Sequence, residues 1–232
     1  MPRVSVLLSV RDGLPHLRGA VASILDQSEA DLELVAVDDG STDGSGEWLE
    51  AVAQVDRRVT VVRRPHAGLT RSLNTGLALC AAPLVARLDA DDSADPNRLR
   101  MQADYLDAHP DVGLLGSWAY EHGPGERACR LVTAQTGDSE LRAALRWRNP
   151  FIHSSVMFRG AVLALSGPYD ESFRVAQDYD LWLRMARATR LACLPVPLVT
   201  RLRHGASVTA RRPWARRWAQ IRVRFRAGWR AA

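Results

Sequence analysis

The sequence predicts an α/β fold in which a mostly parallel sheet is flanked by helices. Short runs rich in β-branched and other apolar residues alternate with segments whose apolar residues recur at helical spacing. This alternation favours parallel strands joined by right-handed crossovers. In such sheets ligands bind at the carboxyl ends of the strands, so the turns that follow the strands are the first places to look for functional residues.

Strands and helices alternate through the first part of the chain. The predicted strands are residues 4–10, 32–37, 59–62 and 83–87, and the predicted helices are residues 15–27, a segment around 48–52 and residues 69–79. The first helix places Leu17, Val21, Ile24 and Leu25 on one face. Farther along, residues 93–96 resemble a helix start, and residues 120–137, rich in Gly, Pro, Thr and charge, are predicted to form a long loop.

Three carboxylates, Asp89, Asp91 and Asp92, directly follow the apolar strand at residues 83–87. Like charges at this separation raise one another's pKa and cost stability unless a cation lies between them. Mg²⁺ and Mn²⁺ prefer oxygen ligands and commonly bridge carboxylates to phosphates. The cluster therefore indicates a metal site, and the structural alternative is an acidic turn that caps the next helix.

Polar turns follow two other strands as well. The second strand ends in Asp38 and Asp39, within a run of glycine, serine and threonine, and the first strand ends at Arg11. The turns around Arg11, Asp39 and Asp91 are therefore expected to face one cleft.

Several motifs occur in the order found in family-2 glycosyltransferases, and the sequence resembles that family over about residues 3–208. The motifs are VSVLL (4–8), VDDGSTDG (37–44), LNTGL (73–77), DADD (89–92), NPFIHSSVM (149–157), GPYDESF (167–173) and QDYDLWLR (177–184). The resemblance implies a GT-A domain at residues 1–208, with a nucleotide-binding half at about 1–95 and an acceptor half at about 96–208. It further implies inverting transfer from a nucleoside-diphosphate sugar, a UDP-sugar being the first candidate, to a glycan or lipid-linked glycan acceptor, with Mn²⁺ or Mg²⁺ as cofactor.

On the nucleotide side, the resemblance implies that Asp39 contacts the base. The structural alternative is that Asp39 and Ser41 only cap the following helix. Ser9 and Arg11 lie at the first turn, where the family usually has an aromatic residue that this chain lacks. The planar guanidinium of Arg11 can stack in its place. Arg71 is a further candidate for the nucleotide, or else belongs to a solvated helix face.

At the acidic cluster, the resemblance assigns Asp91 and Asp92 to the metal and Asp89 to the nucleotide or sugar. His204, which follows the last predicted strand, is an additional candidate metal ligand. Arg87 lies just before the cluster, where it can pair with these acids as a structural partner.

Inverting transfer needs a carboxylate that takes the proton of the acceptor hydroxyl as its oxygen attacks. The resemblance gives this role to Asp178. The alternative is that residues 177–180 merely start a helix, where acids suit the macrodipole. Gln177 stands where the family usually has Glu, and it joins His153 as a candidate on the acceptor side.

The composition agrees with a single globular domain of 232 residues, 47% of them hydrophobic and 25% charged. The three cysteines lack metal-like spacing, which favours reduced thiols in the cytosol. No apolar run approaches the roughly 18 residues of a membrane span, and no signal peptide is expected. We therefore expect a cytoplasmic protein.

Charge is distributed unevenly, because all 31 basic residues are arginines and no acid follows Asp180. The last 52 residues carry 13 arginines, whereas the first 180 have a net charge of −8. Residues 209–232 predict a basic amphipathic helix with one apolar stripe, made of Trp214, Trp218, Ile221, Phe225 and Trp229.

Such a helix suits peripheral contact with an anionic membrane, here the inner membrane face. Two alternatives are packing or self-association of the stripe and non-specific binding of nucleic acid. The aromatic residues form a helix face rather than a stacking platform, so no specific nucleic acid partner is expected.

Two other functions remain open at this point. A sugar nucleotidyltransferase uses similar metal and carboxylate chemistry, but it would need a phosphate loop rich in glycine and lysine that this sequence lacks. A non-catalytic partner subunit would keep the nucleotide-sugar fold without needing the acids that remain at all three motif sites.

Overall fold

The computed structural model describes residues 1–123, 129–202 and 219–223. The strands are β1 (Val4–Val10), β2 (Leu32–Asp38), β3 (Val59–Arg63), β4 (Leu84–Arg87), β5 (Ser93–Ala94), β6 (Val112–His122), β7 (Arg130–Val132), β8 (Met157–Arg159) and β9 (Arg190–Leu202). The helices are α1 (Leu14–Leu25), α2 (Ser45–Val55), α3 (Leu69–Leu77), α4 (Arg98–Ala108), α5 (Asp138–Leu145), α6 (Gly160–Ser166) and α7 (Gln177–Met185), with a 3₁₀ turn at His153–Ser155.

The strands form one sheet in the order β3-β2-β1-β4-β8-β6-β9-β5, with β7 added to β6. The first four strands in this order are parallel, as the sequence predicts. Next to them β8 runs antiparallel to both β4 and β6, and β6 is parallel to β9. The β3-β2-β1-β4 part of the sheet is therefore parallel, whereas the rest is mixed.

The central strand β1 is buried along its whole length because helices cover both faces of the sheet. Val6 and Leu8 face one core with Leu17 of α1, and Leu7 faces the second core with Leu73 of α3. Helix α3 lies so close to the sheet that a Cβ on Gly76 would stand 2.3 Å from the Leu7 side chain. This close approach explains the glycine of the LNTGL motif.

Several boundaries differ from the sequence-based expectation, and those of the third and fourth strands each differ by one residue. The helix predicted at residues 15–27 runs over Leu14–Leu25, the helix predicted to reach 79 ends at Leu77, and the second strand extends to Asp38. The predicted helix start at residues 93–96 is wrong, because Ser93 and Ala94 pair with β9 and the helix begins only at Arg98.

The prediction of one long loop at residues 120–137 is also wrong. Strand β6 continues to His122, and β7 pairs with it antiparallel, with Tyr120 opposite Leu131. The Trp118 indole N–H, which donates to the Ala134 carbonyl at 3.0 Å, fixes the return of the chain. Local glycine and proline content did not reveal this pairing because its partners are separated in sequence.

Of the predicted C-terminal helix, only the turn 219–223 lies within the described residues. Val223 is buried in the second core, Ala219 packs against that core, and the Arg222 guanidinium lies 4.6 Å from the centre of the Phe173 ring. This turn therefore packs on the domain. Among the described residues, no helix is both long and apolar enough to cross a bilayer.

Candidate active site

The turns after β1, β2 and β4 lie at one edge of the sheet because these strands are parallel neighbours. The first two turns are bonded directly to each other. The Asp12 N–H donates to Ser41 Oγ at 2.9 Å, and the Thr42 N–H donates to Asp12 Oδ1 at 2.7 Å. The structure thus brings Arg11, Asp39 and the acidic cluster to the same edge.

Asp39 is buried beneath this edge and accepts four hydrogen bonds. The donors are the backbone N–H groups of Ala67 and Gly68, the Ser72 hydroxyl and the His66 ring. Burial opposes its ionisation, but these hydrogen bonds together lower the pKa of Asp39 below its ordinary value. Asp39 therefore anchors the start of α3, whereas the structural alternative considered from the sequence was a cap on α2.

The other predicted nucleotide-side residues lie in different environments. Ser9 is buried within β1, opposite Val37. Arg11 is exposed, and its Nη1 lies 2.8 Å from His66 Nε2. Arg71 extends from α3 to Glu171, with 3.1 Å between Nε and the carboxylate, and so links α3 to the segment before α7.

The carboxylates of Asp89, Asp91 and Asp92, called the acidic triad below, each place one oxygen within 4.8 Å of the others. Ser154 Oγ bridges two of them, at 2.7 Å from Asp89 and in a shorter contact with Asp92. Burial, together with the charges of Asp89 and Asp91, raises the pKa of Asp92 to about 7. Asp92 therefore binds a proton more tightly than an ordinary carboxyl does, and a bound divalent cation would compete with that proton.

This set of oxygen donors fits Mn²⁺ or Mg²⁺. Burial and then the neighbouring charges of Asp89 and Asp91 disfavour the Asp92 carboxylate, and a bound cation would offset both effects. Asp91 is the more accessible of the two predicted ligands, whereas Asp92 also accepts the Leu202 N–H at 3.1 Å. His204 lies outside the described residues.

Two fully buried arginines underlie the acidic triad. Arg87 Nη2 lies 2.5 Å from Asp89 Oδ1, which is the pairing considered from the sequence. Arg98 donates to the carbonyl oxygens of Arg87 and Val156. Burial opposes ionisation of Asp89, but the Arg87 charge keeps its pKa below the ordinary value. The Asp89 carboxylate is thus held by the Arg87 guanidinium and the Ser154 hydroxyl.

Sequence reasoning missed Arg98 and Ser154. Nothing in the sequence marked Arg98 as a site residue except its place near a helix start, because only the fold brings it under β4. Ser154 had a usable signal, since it stands beside His153 in a motif on the acceptor side.

On the acceptor side, His153 Nε2 lies 2.9 Å from the Tyr169 hydroxyl. Burial and the nearby Arg87 charge lower the pKa of His153 to about 3, so its ring is neutral at physiological pH. Burial raises the pKa of Tyr169, and the carboxylates of Asp178 and Asp89 raise it further. His153 adjoins Ser154, which bonds the acidic triad, and its ring centre lies 6.1 Å from that of Trp182 on α7, the helix that carries Asp178.

Asp178 is the second residue of α7 and is partly exposed. Its Oδ2 accepts the Asn149 amide N–H at 2.7 Å. This hydrogen bond, from the motif at residues 149–157, orients the carboxylate. Gln177 is buried, and Asp180 pairs with Arg184 at 2.8 Å. Of the three polar side chains that open α7, Asp178 is the one with solvent access.

Helix α3 also holds the segment that leads to Asp178. Asn74 bonds both backbone groups of Tyr169, accepting its N–H at 3.0 Å and donating to its carbonyl at 2.9 Å. Thr70 donates to the Phe173 carbonyl at 2.7 Å. One helix therefore connects the Asp39 edge with the segment that positions Asp178.

Comparison with known proteins identifies the family. The profile described as Glycosyl transferase family 2 matches residues 5–162, more than half of the chain. The chain belongs to glycosyl transferase family 2. Family membership and the arrangement of its motif residues support the enzymatic assignment made from the sequence.

Relatives act in polysaccharide synthesis, according to their names. The amylovoran biosynthesis glycosyltransferase AmsE of Erwinia amylovora is 34% identical over 221 residues, which cover 90% of this chain and 80% of AmsE. The O-antigen biosynthesis glycosyltransferase WbnJ of Escherichia coli is 26% identical over 78% of this chain and 71% of WbnJ. A glycosyltransferase of Haemophilus influenzae is 27% identical, and this chain spans 66% of its length.

Solved structures confirm the predicted GT-A fold. TarS of Staphylococcus aureus in complex with UDP superposes with a TM-score of 0.73 at 18% identity, over 98% of this chain and 65% of that one. The mannosyltransferase PcManGT of Pyrobaculum calidifontis, in complex with GDP-Man and Mn²⁺, gives a TM-score of 0.71 at 21% identity, over 100% and 65%. This family-2 chain thus spans about two thirds of each crystallised protein.

Proposed function

We propose that this glycosyltransferase moves a hexose or aminohexose from a nucleoside-diphosphate sugar to an acceptor hydroxyl, with inversion at the anomeric carbon. The observation that carries the proposal is that one chain segment contacts both sets of acids: Ser154 bonds the acidic triad, and Asn149 bonds Asp178. A donor sugar bound beside this segment has the triad near its diphosphate and a carboxylate near its acceptor.

Asp178 is proposed as the general base. Asn149 orients its carboxylate, and partial exposure lets an acceptor hydroxyl approach it. The base takes the hydroxyl proton while the acceptor oxygen forms its bond to the anomeric carbon and the bond to the diphosphate oxygen breaks. Attack opposite the leaving group inverts the configuration. Gln177 and His153 are proposed to shape the acceptor side.

Asp91 and Asp92 are proposed to hold a divalent cation, and Asp89 to contact the nucleotide or sugar. A bound Mn²⁺ or Mg²⁺ supplies Lewis-acid stabilisation to the departing diphosphate. The chain's own contribution is to keep Asp89 ionised through Arg87 and to place Ser154 between Asp89 and Asp92.

The nucleotide is proposed to occupy the edge formed by residues up to about 95, at Ser9, Arg11, Asp39 and Arg71, and the acceptor to occupy residues from about 96 onward. UDP, UDP-GlcNAc and GDP-Man are bound by the structural neighbours, so uridine and guanosine donors are the first to test. The relatives' names support synthesis of a cell-surface polysaccharide or a lipid-linked glycan.

Contact of the arginine-rich residues 209–232 with the anionic cytoplasmic face of the inner membrane is part of this proposal. It is supported by the eight arginines of this segment, since each basic group near an anionic surface contributes about 1 kcal/mol.

The test is a thermal-shift screen of nucleoside-diphosphate sugars with and without Mn²⁺, followed by NMR of the product formed from the stabilising donor. The expected result is stabilisation by one donor class that depends on Mn²⁺, and a product of inverted anomeric configuration. A product of retained configuration would contradict the role of Asp178.

A further inference from the structure

A cavity of about 700 Å³ lies at the C-terminal end of α7, beside the starts of β6 and β9. Small-molecule sites commonly have volumes of about 300–1,000 Å³, so this cavity is large enough to hold a ligand. Strand β6 runs in the same direction as β4, since both are antiparallel to β8, and it therefore begins at the sheet edge opposite the acidic triad. The cavity is thus separate from the site described above.

Arginines dominate the lining of this cavity. Among the described residues, the charged groups that line it are one acid, Asp111, and four arginines, Arg142, Arg146, Arg187 and Arg190. Arg190 pairs with Asp111 at 2.8 Å, and Arg142 pairs with Asp138 at 2.9 Å. Counting both of these acids, the arginines leave an excess of two positive charges, whereas the first 180 residues of the chain have a net charge of −8. The cavity is therefore a local basic site on an acidic domain.

The buried part of the lining is apolar, and the exposed part is basic. Leu183 and Ala186, at the end of α7, are buried in the second core, whereas Arg187 and Arg190 are exposed. Arginine suits phosphate in particular, because its planar guanidinium can donate two parallel hydrogen bonds. The lining therefore fits a ligand that combines an anionic phosphate with an apolar part.

An exposed tryptophan directly follows one of the lining residues. Arg146 is succeeded by Trp147, which is 63% exposed, and by the exposed Arg148. This turn is fixed, because the N–H groups of Trp147 and Arg148 both donate to the Ala144 carbonyl at 2.9 Å. The other tryptophans that the structure describes are half-buried or buried, namely Trp48, Trp118 and Trp182. Exposed tryptophan beside arginine is typical of membrane interfaces, where the indole lies at headgroup level.

The same turn leads to the acceptor side. Asn149 follows Arg148, and its amide donates to Asp178 Oδ2 at 2.7 Å. Consecutive Cα atoms are about 3.8 Å apart, so the Cα atoms of Trp147 and Asn149 lie within about 7.6 Å of each other. A surface that binds this turn is therefore next to the residue that orients Asp178.

We propose that the cavity and the turn 146–148, together called the basic face, form a docking site for an anionic membrane. The cavity arginines bind the phosphate of a phospholipid headgroup, and the Trp147 indole lies among the headgroups. This contact is separate from sugar transfer and from the contact proposed for residues 209–232. It brings the membrane beside the acceptor side of the domain.

Other occupants fit this face less well. Residues 209–232 contain eight arginines and no acid, so the basic face repels them. Nucleic acid would meet the arginines, but proteins that bind single strands stack successive bases on several aromatic side chains. The turn 146–148 offers one indole.

The test is co-sedimentation of the full chain with vesicles of phosphatidylcholine, alone or mixed with phosphatidylglycerol. The wild type should bind only the vesicles that contain phosphatidylglycerol. Arg146→Gln combined with Arg187→Gln should lower the partition coefficient about 30-fold, because each basic group near an anionic surface contributes about 1 kcal/mol. Trp147→Ala should also lower it, whereas Trp147→Phe should retain most of the binding.

Arg18→Gln combined with Arg57→Gln is the matched control, because it removes the same charge from exposed residues of α1 and of the turn before β3. Its partition coefficient should stay close to that of the wild type. All of these variants keep residues 209–232, so a loss of binding reports on the basic face and not on the tail. Donor binding should be unchanged in every variant, because the substituted residues lie outside the proposed donor site.

Equal vesicle binding by the wild type and by the Arg146→Gln, Arg187→Gln variant would overturn the inference, as would a wild type that binds no anionic vesicles. An equal loss in the control pair would show binding by net charge alone and would also overturn it. If affinity for a short DNA duplex fell in the variant while vesicle binding did not, the face would belong to nucleic acid instead. Failure of sugar transfer leaves the inference intact, because the assay contains no donor.

Discussion

The hydroxyl of Tyr169 lies 2.9 Å from Nε2 of His153, whose neighbour Ser154 bonds two carboxylates of the acidic triad. The two residues come from different motifs, and Asn74 holds Tyr169 in place from a third. The site therefore depends on contacts between distant parts of the chain. Each of these contacts can be tested separately.

Asp178→Asn should lower turnover by about 10²–10⁴-fold, the usual contribution of a positioned proton acceptor. Donor affinity, measured by calorimetry, should stay near the wild-type value because Asp178 lies on the acceptor side. Asp180→Asn is the matched control, since Asp180 pairs with Arg184 on the same helix. The control should lower thermal stability but retain turnover, and a fully active Asp178→Asn enzyme would remove Asp178 from the mechanism.

Mn²⁺ affinity should fall as the pH is lowered through about 7. Asp92 carries a raised pKa, so below that value it is protonated and cannot ligate a cation. Calorimetry at pH 8 should show tighter Mn²⁺ binding than at pH 5.5, with protons released on binding near neutral pH. Asp92→Asn should bind Mn²⁺ weakly at both pH values, and an identical pH profile in this variant would exclude Asp92 as the titrating group.

Arg87→Met should destabilise the protein by about 2 kcal/mol. Breaking a fully buried ion pair destabilises a protein by about 3–5 kcal/mol. The loss should be smaller here because the Asp89 side chain is one-third exposed to solvent. Chemical denaturation measures the change in free energy of unfolding. Adding Asp89→Asn to Arg87→Met should restore part of the loss, because it removes the uncompensated carboxylate. No recovery in the double variant would mean that Arg87 stabilises the fold through packing alone.

Asn74→Ala should lower turnover while leaving donor affinity unchanged. The variant loses both side-chain bonds to the Tyr169 backbone, so the segment before Asp178 is no longer held on α3. Stability should fall by about 1–3 kcal/mol, because buried backbone groups lose their partner. Thr75→Ala changes the next residue of α3 and serves as control. Weaker donor binding in Asn74→Ala, at unchanged turnover, would place its role on the nucleotide side.

Two variants of the C-terminal residues separate packing on the core from contact with a membrane. Val223→Ala should lower the melting temperature, because Val223 is buried in the second core, without changing sedimentation with anionic vesicles. Deleting residues 224–232 should reduce sedimentation with anionic vesicles and leave the melting temperature unchanged. The deletion removes three arginines and two residues of the apolar stripe but spares Val223. Equal sedimentation before and after this deletion would argue against membrane contact by these residues.

Local pattern was sufficient for the parallel half of the sheet. The strands β1, β2, β3 and β4 were all predictable because buried parallel strands appear as continuous apolar runs. The alternation of strands and helices also implied that Arg11, Asp39 and Asp91 meet at one edge. The β6–β7 pairing was not predictable, because it joins residues across the segment 124–128 and depends on the tertiary position of Trp118.

Roles within the site were predictable in type but not in detail. An acidic cluster after a strand indicates a cation, and Arg87 was a candidate partner, yet only the fold shows that Arg87 pairs with Asp89, that Ser154 bridges Asp89 and Asp92, and that burial raises the pKa of Asp92. The sequence pointed to Asp39 but gave no sign that His66 would bond it, because this contact comes from the close approach of the β2 and β3 turns. Such contacts between turns leave no periodic signal in the sequence.

The most direct measurement is a calorimetric titration of UDP and GDP into the wild-type protein and into Asp91→Ala, each with and without Mn²⁺. We predict that one of the two nucleotides binds the wild type in a Mn²⁺-dependent manner and that Asp91→Ala loses this dependence. Equal affinity in the two proteins, or binding that ignores Mn²⁺, would contradict the assignment of the acidic triad as the site where a cation and the donor diphosphate meet.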